Sequence, residues 1–185
     1  MSTRIMPRCS VPVKDQYATA DDFCNLFAKD MTSLYLLAFL LTASHEKAEQ
    51  CFVSGMEDCA QGSSVFQQWA RSWARRVIIQ NAVRMIAPYP YFEDRSIYES
   101  PTAVVRNERE LVQNTSWAEV ITLDNFERFV FVISVLEGYA DRECATLLGC
   151  TVLEVRDTRV RALQQIVDFS WASVQPVDEL SRMVG

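Results

Sequence analysis

The chain has 185 residues, 49% of them apolar, and a formal net charge of −6. That apolar content is enough for one domain or two small ones with packed cores and excludes wholesale disorder. The acidic balance argues against a protein that coats nucleic acid nonspecifically.

Residues 1–19 contain Pro7 and Pro12 and no hydrophobic period, and are expected to form a loose N-terminal arm. Asp21 and Asp22 offer a helix start, carboxylates beside the positive end of the dipole. Phe23, Leu26, Phe27, Met31, Leu34, Tyr35 and Ala38 follow at three-four spacing. This predicts one continuous helix, apolar nearly all round by Leu36-Leu37 and hence buried. Ser44 is placed to cap a second helix over residues 45–60, with Ala48, Cys51, Phe52, Met56 and Cys59 on its buried face. Gly55 within it costs about 1 kcal/mol of helix propensity against alanine.

A third helix is expected over residues 65–87, with Phe66, Trp69, Ala70, Trp73, Val77 and Asn81 along one stripe that reads as core. Residues 66–86 hold four arginines (Arg71, Arg75, Arg76 and Arg84) and no acid. Such a face is either simply solvated or meets an anionic partner. Pro88 and Pro90 stop the helix, and residues 88–122, with Pro101 and mixed charge, are expected to be a flexible linker.

Residues 123–167 carry the most informative pattern. Phe126, Val130, Ile133 and Leu136 give a first helix its buried face, and Gly138-Tyr139 ends it. Ala145 and Leu148 pack a second helix. Gly149 supplies a left-handed stop, Thr151-x-x-Glu154 a capping box, and Val155, Ala162 and Ile166 the buried side of a third helix. A helix, a tight Gly-containing turn and a longer helix make a helix-turn-helix, whose second helix commonly enters the DNA major groove. Residues 156–161 hold three arginines against one acid, Asp157. Residues 168–185 are expected to be a C-terminal tail.

No catalytic, metal or cofactor site is expected. The only histidine is His45, the six cysteines include no Cys-x-x-Cys, and no glycine-rich phosphate loop occurs. Cys24, Cys51 and Cys144 fall in apolar patterns and read as small core residues. No apolar run approaches the roughly 20 residues of a membrane span, so a reduced, cytoplasmic protein without membrane insertion is expected.

Two all-helical halves of this kind resemble one family, the extracytoplasmic-function subfamily of sigma-70-type RNA polymerase sigma factors, of which this would be a divergent member. Glu137-Gly138-Tyr139 resembles the Glu-Gly-aromatic-or-Leu start of its promoter-reading unit. Glu143-Cys144-Ala145 stands where Glu-Ile-Ala is usual, and Leu147-Leu148-Gly149-Cys150 fits the family's Ile/Leu-Leu-Gly-Cys/Val turn. Val155-Arg156 is similar to Val-Lys, Arg161-Ala162 to Arg-Ala, and Leu123-x-x-Phe126-Glu127-Arg128 to Leu-Pro-x-x-x-Arg. In the N-terminal half, Ala48-Glu49 is similar to the Ala-Glu that opens the family's second helix, and Trp69 or Trp73 with Asn81 to its Trp-Leu…Asn pattern. Departures are plain too: Gln50 and Val53 replace an Asp-x-x-Gln, and Glu154, Asp157 and Thr158 stand where Thr, Ser and Arg are frequent.

The resemblance implies an all-α chain of two small domains joined by the linker. A three-helix domain over 20–87 would bind the polymerase through Glu49, Gln50 and Val53 and the −10 region of the promoter through Arg71, Arg75, Arg76, Asn81 and Arg84. A helix-turn-helix domain over 123–167 would read the −35 element with Thr151, Glu154, Arg156, Asp157, Arg159 and Arg161. Arg156 is then the first choice for a base edge, while Arg159 and Arg161 suit phosphates or, for Arg159, an intramolecular acid. Glu154 has its capping role as an alternative, and Asp157 either accepts from a cytosine amino group or weakens binding. The implied partners are core RNA polymerase, promoter DNA and an anti-sigma protein. Two other classes stay open: a sigma-like DNA-binding regulator that does not engage polymerase, and an anti-sigma-binding interaction module that reads no DNA.

Overall fold

A computed structural model describes residues 17–62, 64–88 and 117–174, without the side chains of 167–174. The described residues are all-α. Most of the expected arm, most of the linker and residues 175–185 of the tail lie outside them.

Thr19 and Asp22 open α1 (Ala20–Lys29) with a capping box. The Thr19 N–H and hydroxyl both donate to the Asp22 carboxylate at 2.8 Å, and the Asp22 N–H donates back to the Thr19 hydroxyl at 3.2 Å. The chain then turns by 80° into α2 (Met31–Thr42). The three-four spacing predicts one continuous helix here, but the chain forms two, Ala20–Lys29 and Met31–Thr42. Unbroken, a helix of that length would run about 33 Å and carry Phe23 and Phe27 past the bundle. The bend at Asp30, whose carboxylate is held by Arg71 Nε at 2.7 Å, lets both phenylalanines fold back into the core. Residues 20–86 therefore hold four helices, not three.

The all-round apolar character of α2 has a structural reason. Leu34, Leu37, Ala38, Leu40 and Leu41 are buried because α2 packs against α3 (His45–Gln61) and α4 (Ala70–Ile86) on one side and against the C-terminal helices on the other. Ser44 caps α3 by accepting the Lys47 N–H. Gly55 of α3 is buried where α4 crosses: a Cβ there would stand 3.0 Å from Ile78 Cγ1. The glycine that weakens the helix locally is what allows the two helices this close.

Helix α4 buries Ala70, Ala74, Val77, Ile78, Ile79 and Ala82. The aromatic stripe expected as core is thus displaced. Trp69, in a short 3-10 turn (Gln67–Trp69), is 55% exposed, and Phe66 and Trp73 are half-buried. Small and branched residues line the tight α4 contact, which leaves the large rings at its rim. Cys24 is exposed, contrary to expectation, whereas Cys51 and Cys144 are buried.

The C-terminal helices are α5 (Ala118–Thr122), α6 (Asn125–Phe131), α7 (Asp141–Leu148) and α8 (Val152–Val174). Helix α5 occupies the end of the stretch expected as linker, and α8 continues through residues 168–174, expected as tail. After α6 the chain widens into a π turn (Val132–Leu136), in which the Glu137 N–H donates to the Val132 carbonyl at 2.9 Å. The extra residue rotates the facing of the side chains beyond it. Val130 and Ile133 are buried as expected, but Leu136 is exposed, and Glu137 swings toward α4.

Among the described residues, two polar contacts join the N- and C-terminal halves. Arg128 of α6, 4% exposed, donates to the Leu41 carbonyl (3.3 Å), the Leu123 carbonyl (3.0 Å) and Asn125 Oδ1 (2.6 Å). Leu41 lies in the last turn of α2, where carbonyls lack intrahelical partners, so one half supplies a donor to a helix end of the other. Arg75 of α4 reaches the Glu137 carboxylate with both Nε (2.6 Å) and Nη2, and donates through Nη1 to Ser33 at 2.9 Å. Among the described residues no single helix is long and apolar enough to cross a membrane.

Candidate nucleic-acid interface

The helix-turn-helix is built by local rules. The Ala140 N–H donates to Glu143 at 3.1 Å at the start of α7. Gly149 ends α7 at φ 69°, and the Cys150 N–H returns to the Ala145 carbonyl at 3.1 Å, the six-to-one bond of a Schellman stop. The capping box expected at the start of α8 is present. The Thr151 N–H and hydroxyl donate to Glu154 at 2.8 and 2.7 Å, and the Glu154 N–H donates to the Thr151 hydroxyl at 3.2 Å. Thr151 and Glu154 are therefore committed to starting their own helix. Val155, Thr158 and Ala162 bury the inner face of α8.

The arginines of α8 are all tied to carboxylates of neighbouring helices. Asp141 of α7 accepts from Arg156 Nε at 2.8 Å and from Arg159 Nη1 at 2.6 Å. These bonds hold the Asp141 carboxyl below the usual carboxylate range. Arg161 donates to Glu127 of α6 at 3.2 Å and to the Thr158 hydroxyl at 2.9 Å, and Gln165 donates to the same Glu127 at 2.8 Å. Beside the exposed Arg156 and Arg161, the outward face of α8 also carries Leu153, 67% exposed, Asp157, and Val160, 54% exposed.

The basic helix α4 is neutralised in the same way. Arg71 pairs with Asp30 of the α1–α2 bend, Arg75 with Glu137, and Arg84 with Asp58 of α3 at 2.8 Å. Asn81 donates to Asp58 at 3.0 Å and to the Val77 carbonyl at 3.0 Å, and it accepts from Arg84 at 3.1 Å. Arg76 lines a groove of about 870 Å³ between the halves, with Phe66, Trp69, Trp73, Tyr139 and Glu143. Burial pushes the Tyr139 phenol up, and the nearby Arg76 charge opposes that shift. Glu49, Gln50 and Val53 are exposed together on the outer face of α3, where Gln50 donates to Glu46 at 3.4 Å.

Sequence reading named the cations and missed Asp30, Asp58, Glu127, Glu137 and Asp141. Each carboxylate lies at least fifteen residues from the arginine it serves, as in Asp141–Arg156, so no local charge window brings the partners together. Among the described residues, no three His, Cys, Asp or Glu side chains gather as metal ligands. The buried thiols of Cys51 and Cys59 are pushed up to about 12 and that of Cys144 to about 11, which keeps them protonated and unreactive.

No family model matches the chain, and no curated protein matches it. Among solved structures it is similar to the sigma factor RpoE of Bartonella quintana, determined in complex with the anti-sigma factor NepR. The two are 16% identical, the match covers 84% of this chain and 99% of that one, and the TM-score is 0.46.

Proposed function

We propose that this chain is a sigma factor of the extracytoplasmic-function kind, a cytoplasmic, non-enzymatic subunit that directs bacterial RNA polymerase to specific promoters. The observation that carries the reading is the helix-turn-helix. The residue string that resembles the family's promoter reader is also the string that makes the stop at Gly149, the cap at Thr151 and the buried face at Val155 and Ala162. Residues 20–87 are assigned to polymerase and the −10 element, residues 123–167 to the −35 element.

In this reading α4 approaches the promoter near −10, and Arg71, Arg75 and Arg84 exchange Asp30, Glu137 and Asp58 for phosphates. Arg75 cannot do so while it holds Glu137, so engagement at −10 would break one of the two polar contacts that join the halves among the described residues. The exposed ring of Trp69 is available to an unstacked base. Helix α8 enters the major groove. An anti-sigma protein is a further partner on the same reading.

The exposed trio Glu49, Gln50 and Val53 is assigned to the polymerase clamp. Val53 is 47% exposed, so Val53→Asp should leave the fold intact and weaken binding to core polymerase at least tenfold, about 1.4 kcal/mol. Copurification of the folded chain with core polymerase measures this, and undiminished recovery of the variant would remove these residues from the interface.

A second reading, a sigma-shaped regulator or an anti-sigma-binding module, is favoured by one observation. Arg156, Arg159 and Arg161 all rest on carboxylates, and the outward face of α8 carries Asp157. A chain that never copurifies with core polymerase would support that reading.

A further inference from the structure

We propose that Leu153, Asp157 and Val160 form the base-reading stripe of α8, and that they select a cytosine at Asp157 flanked by thymines at Leu153 and Val160. This rests on the reading of the helix-turn-helix as a promoter reader and goes beyond it, to the bases read and the residues that read them.

The three residues stand at i, i+4 and i+7 and share one face of α8. That face points to solvent: Leu153 and Val160 are more than half exposed, and Asp157 is exposed. The arginines of α8 are drawn toward neighbouring helices, to the flanks of this stripe. Arg156 gives its Nε to Asp141, Arg159 gives Nη1 to the same carboxylate, and Arg161 is divided between Glu127 and Thr158. Their remaining N–H groups lie beside the stripe, where they suit phosphates. Glu154 is folded onto Thr151.

The chemistry of the outward stripe then decides the bases. An ionised Asp157 accepts hydrogen bonds and donates none. Cytosine presents its amino donor alone in the major groove; adenine sets its amino donor beside the N7 acceptor, which repels a carboxylate, guanine presents two acceptors, and thymine an acceptor and a methyl group. The branched apolar tips of Leu153 and Val160 suit the thymine methyl. Four and three residues of helix span about 6 and 4.5 Å, so the thymines fall within about two base pairs of the cytosine. Residues 141–166 hold four acids and four arginines, so phosphate attraction by this unit is weak and base contacts carry a larger share of its discrimination.

The test is selection of duplexes from a randomised library by the full chain, alone and with core polymerase, followed by sequencing. Asp157→Asn and Leu153→Ala are run in parallel; both positions are exposed, so the variants keep the fold, checked by helical circular dichroism. The intact chain should enrich a site with cytosine and neighbouring thymines. Asn pairs with the adenine N6 and N7 edge, so Asp157→Asn should turn that cytosine into adenine with roughly a tenfold change in preference. Leu153→Ala should relax one thymine only. If the intact chain enriches a site and Asp157→Asn enriches the same one, the inference falls while the promoter reading stands. If no site is enriched under either condition, as for a face that docks on protein, the promoter reading falls and the inference with it.

Discussion

Replacing Arg128 with methionine should destabilise the chain by about 2–3 kcal/mol, the largest effect expected of any single polar substitution here. Methionine fills much of the same volume with an adaptable chain, so the loss is mainly one of hydrogen bonds. The Leu41 and Leu123 carbonyls lose the donor that serves them, and each buried acceptor left unpaired costs about 1–3 kcal/mol. Part of this is offset. Burial pulls the Arg128 guanidinium down to about 10 from its ordinary 12.5, which means its charge is itself costly to hold inside. The position of Leu41 adds a second readout. Because Arg128 belongs to α6 and Leu41 to α2, its loss also loosens one half from the other. Urea denaturation followed by circular dichroism should show a lower midpoint and a broader transition. An unchanged midpoint would mean that the contact contributes nothing net.

Asp141→Asn should strengthen nonspecific DNA binding and steepen its dependence on salt. On the proposed DNA-binding reading, Asp141 would compete with phosphate for the two arginines it holds, Arg156 at 2.8 Å and Arg159 at 2.6 Å. Without its charge both become available, and each phosphate contact they make adds about 0.9 to the log-log salt slope, close to 2 in all. Strong acid acts in the same direction at a predictable place. The Asp141 carboxyl is held below its ordinary 3.8, first by the Arg156 bond and then by the Arg159 bond. A depressed carboxyl contributes stability that is present above its unfolded value and is lost as pH falls through the folded one. The pairing is therefore intact at pH 7 and fails only below about pH 4. Filter binding at several salt concentrations measures the slope, and equal slopes for the two proteins would show that Arg156 and Arg159 are free to leave Asp141 anyway.

The parts legible in the sequence are those that local chemistry determines. Gly149 and Thr151-x-x-Glu154 set a helix stop and a helix start within six residues, and both bonds of the cap are present as expected. The apolar girdle of α2 correctly announced burial on all sides, although not that the second half supplies part of the cover. The bend at Asp30 was hidden because the three-four spacing runs through it unbroken. The π turn was hidden because an added residue changes the facing of Leu136 and Glu137 without changing composition. Charge misled most. The acid-free run of α4 is acid-free only along the chain; in space Asp30, Asp58 and Glu137 stand against it. The same holds for α8, where Asp141 and Glu127 come from other helices and pair with its arginines, while Leu153, Asp157 and Val160 stand exposed beside them.

These contacts describe a closed arrangement. Arg75 and Glu137 join the helix assigned to −10 to the turn that precedes the helix-turn-helix, and both side chains are largely buried. On the proposed reading, promoter engagement would exchange that pair for phosphate, and polymerase is the partner proposed to drive the exchange.

Run-off transcription tests the central claim most directly. Core RNA polymerase is supplied with genomic fragments, with and without the full chain. The account predicts discrete transcripts that appear only when the chain is added and that need about tenfold more of the Val53→Asp variant to reach the same yield. Transcription no different from that of core polymerase alone, with the chain folded and in excess, would contradict it.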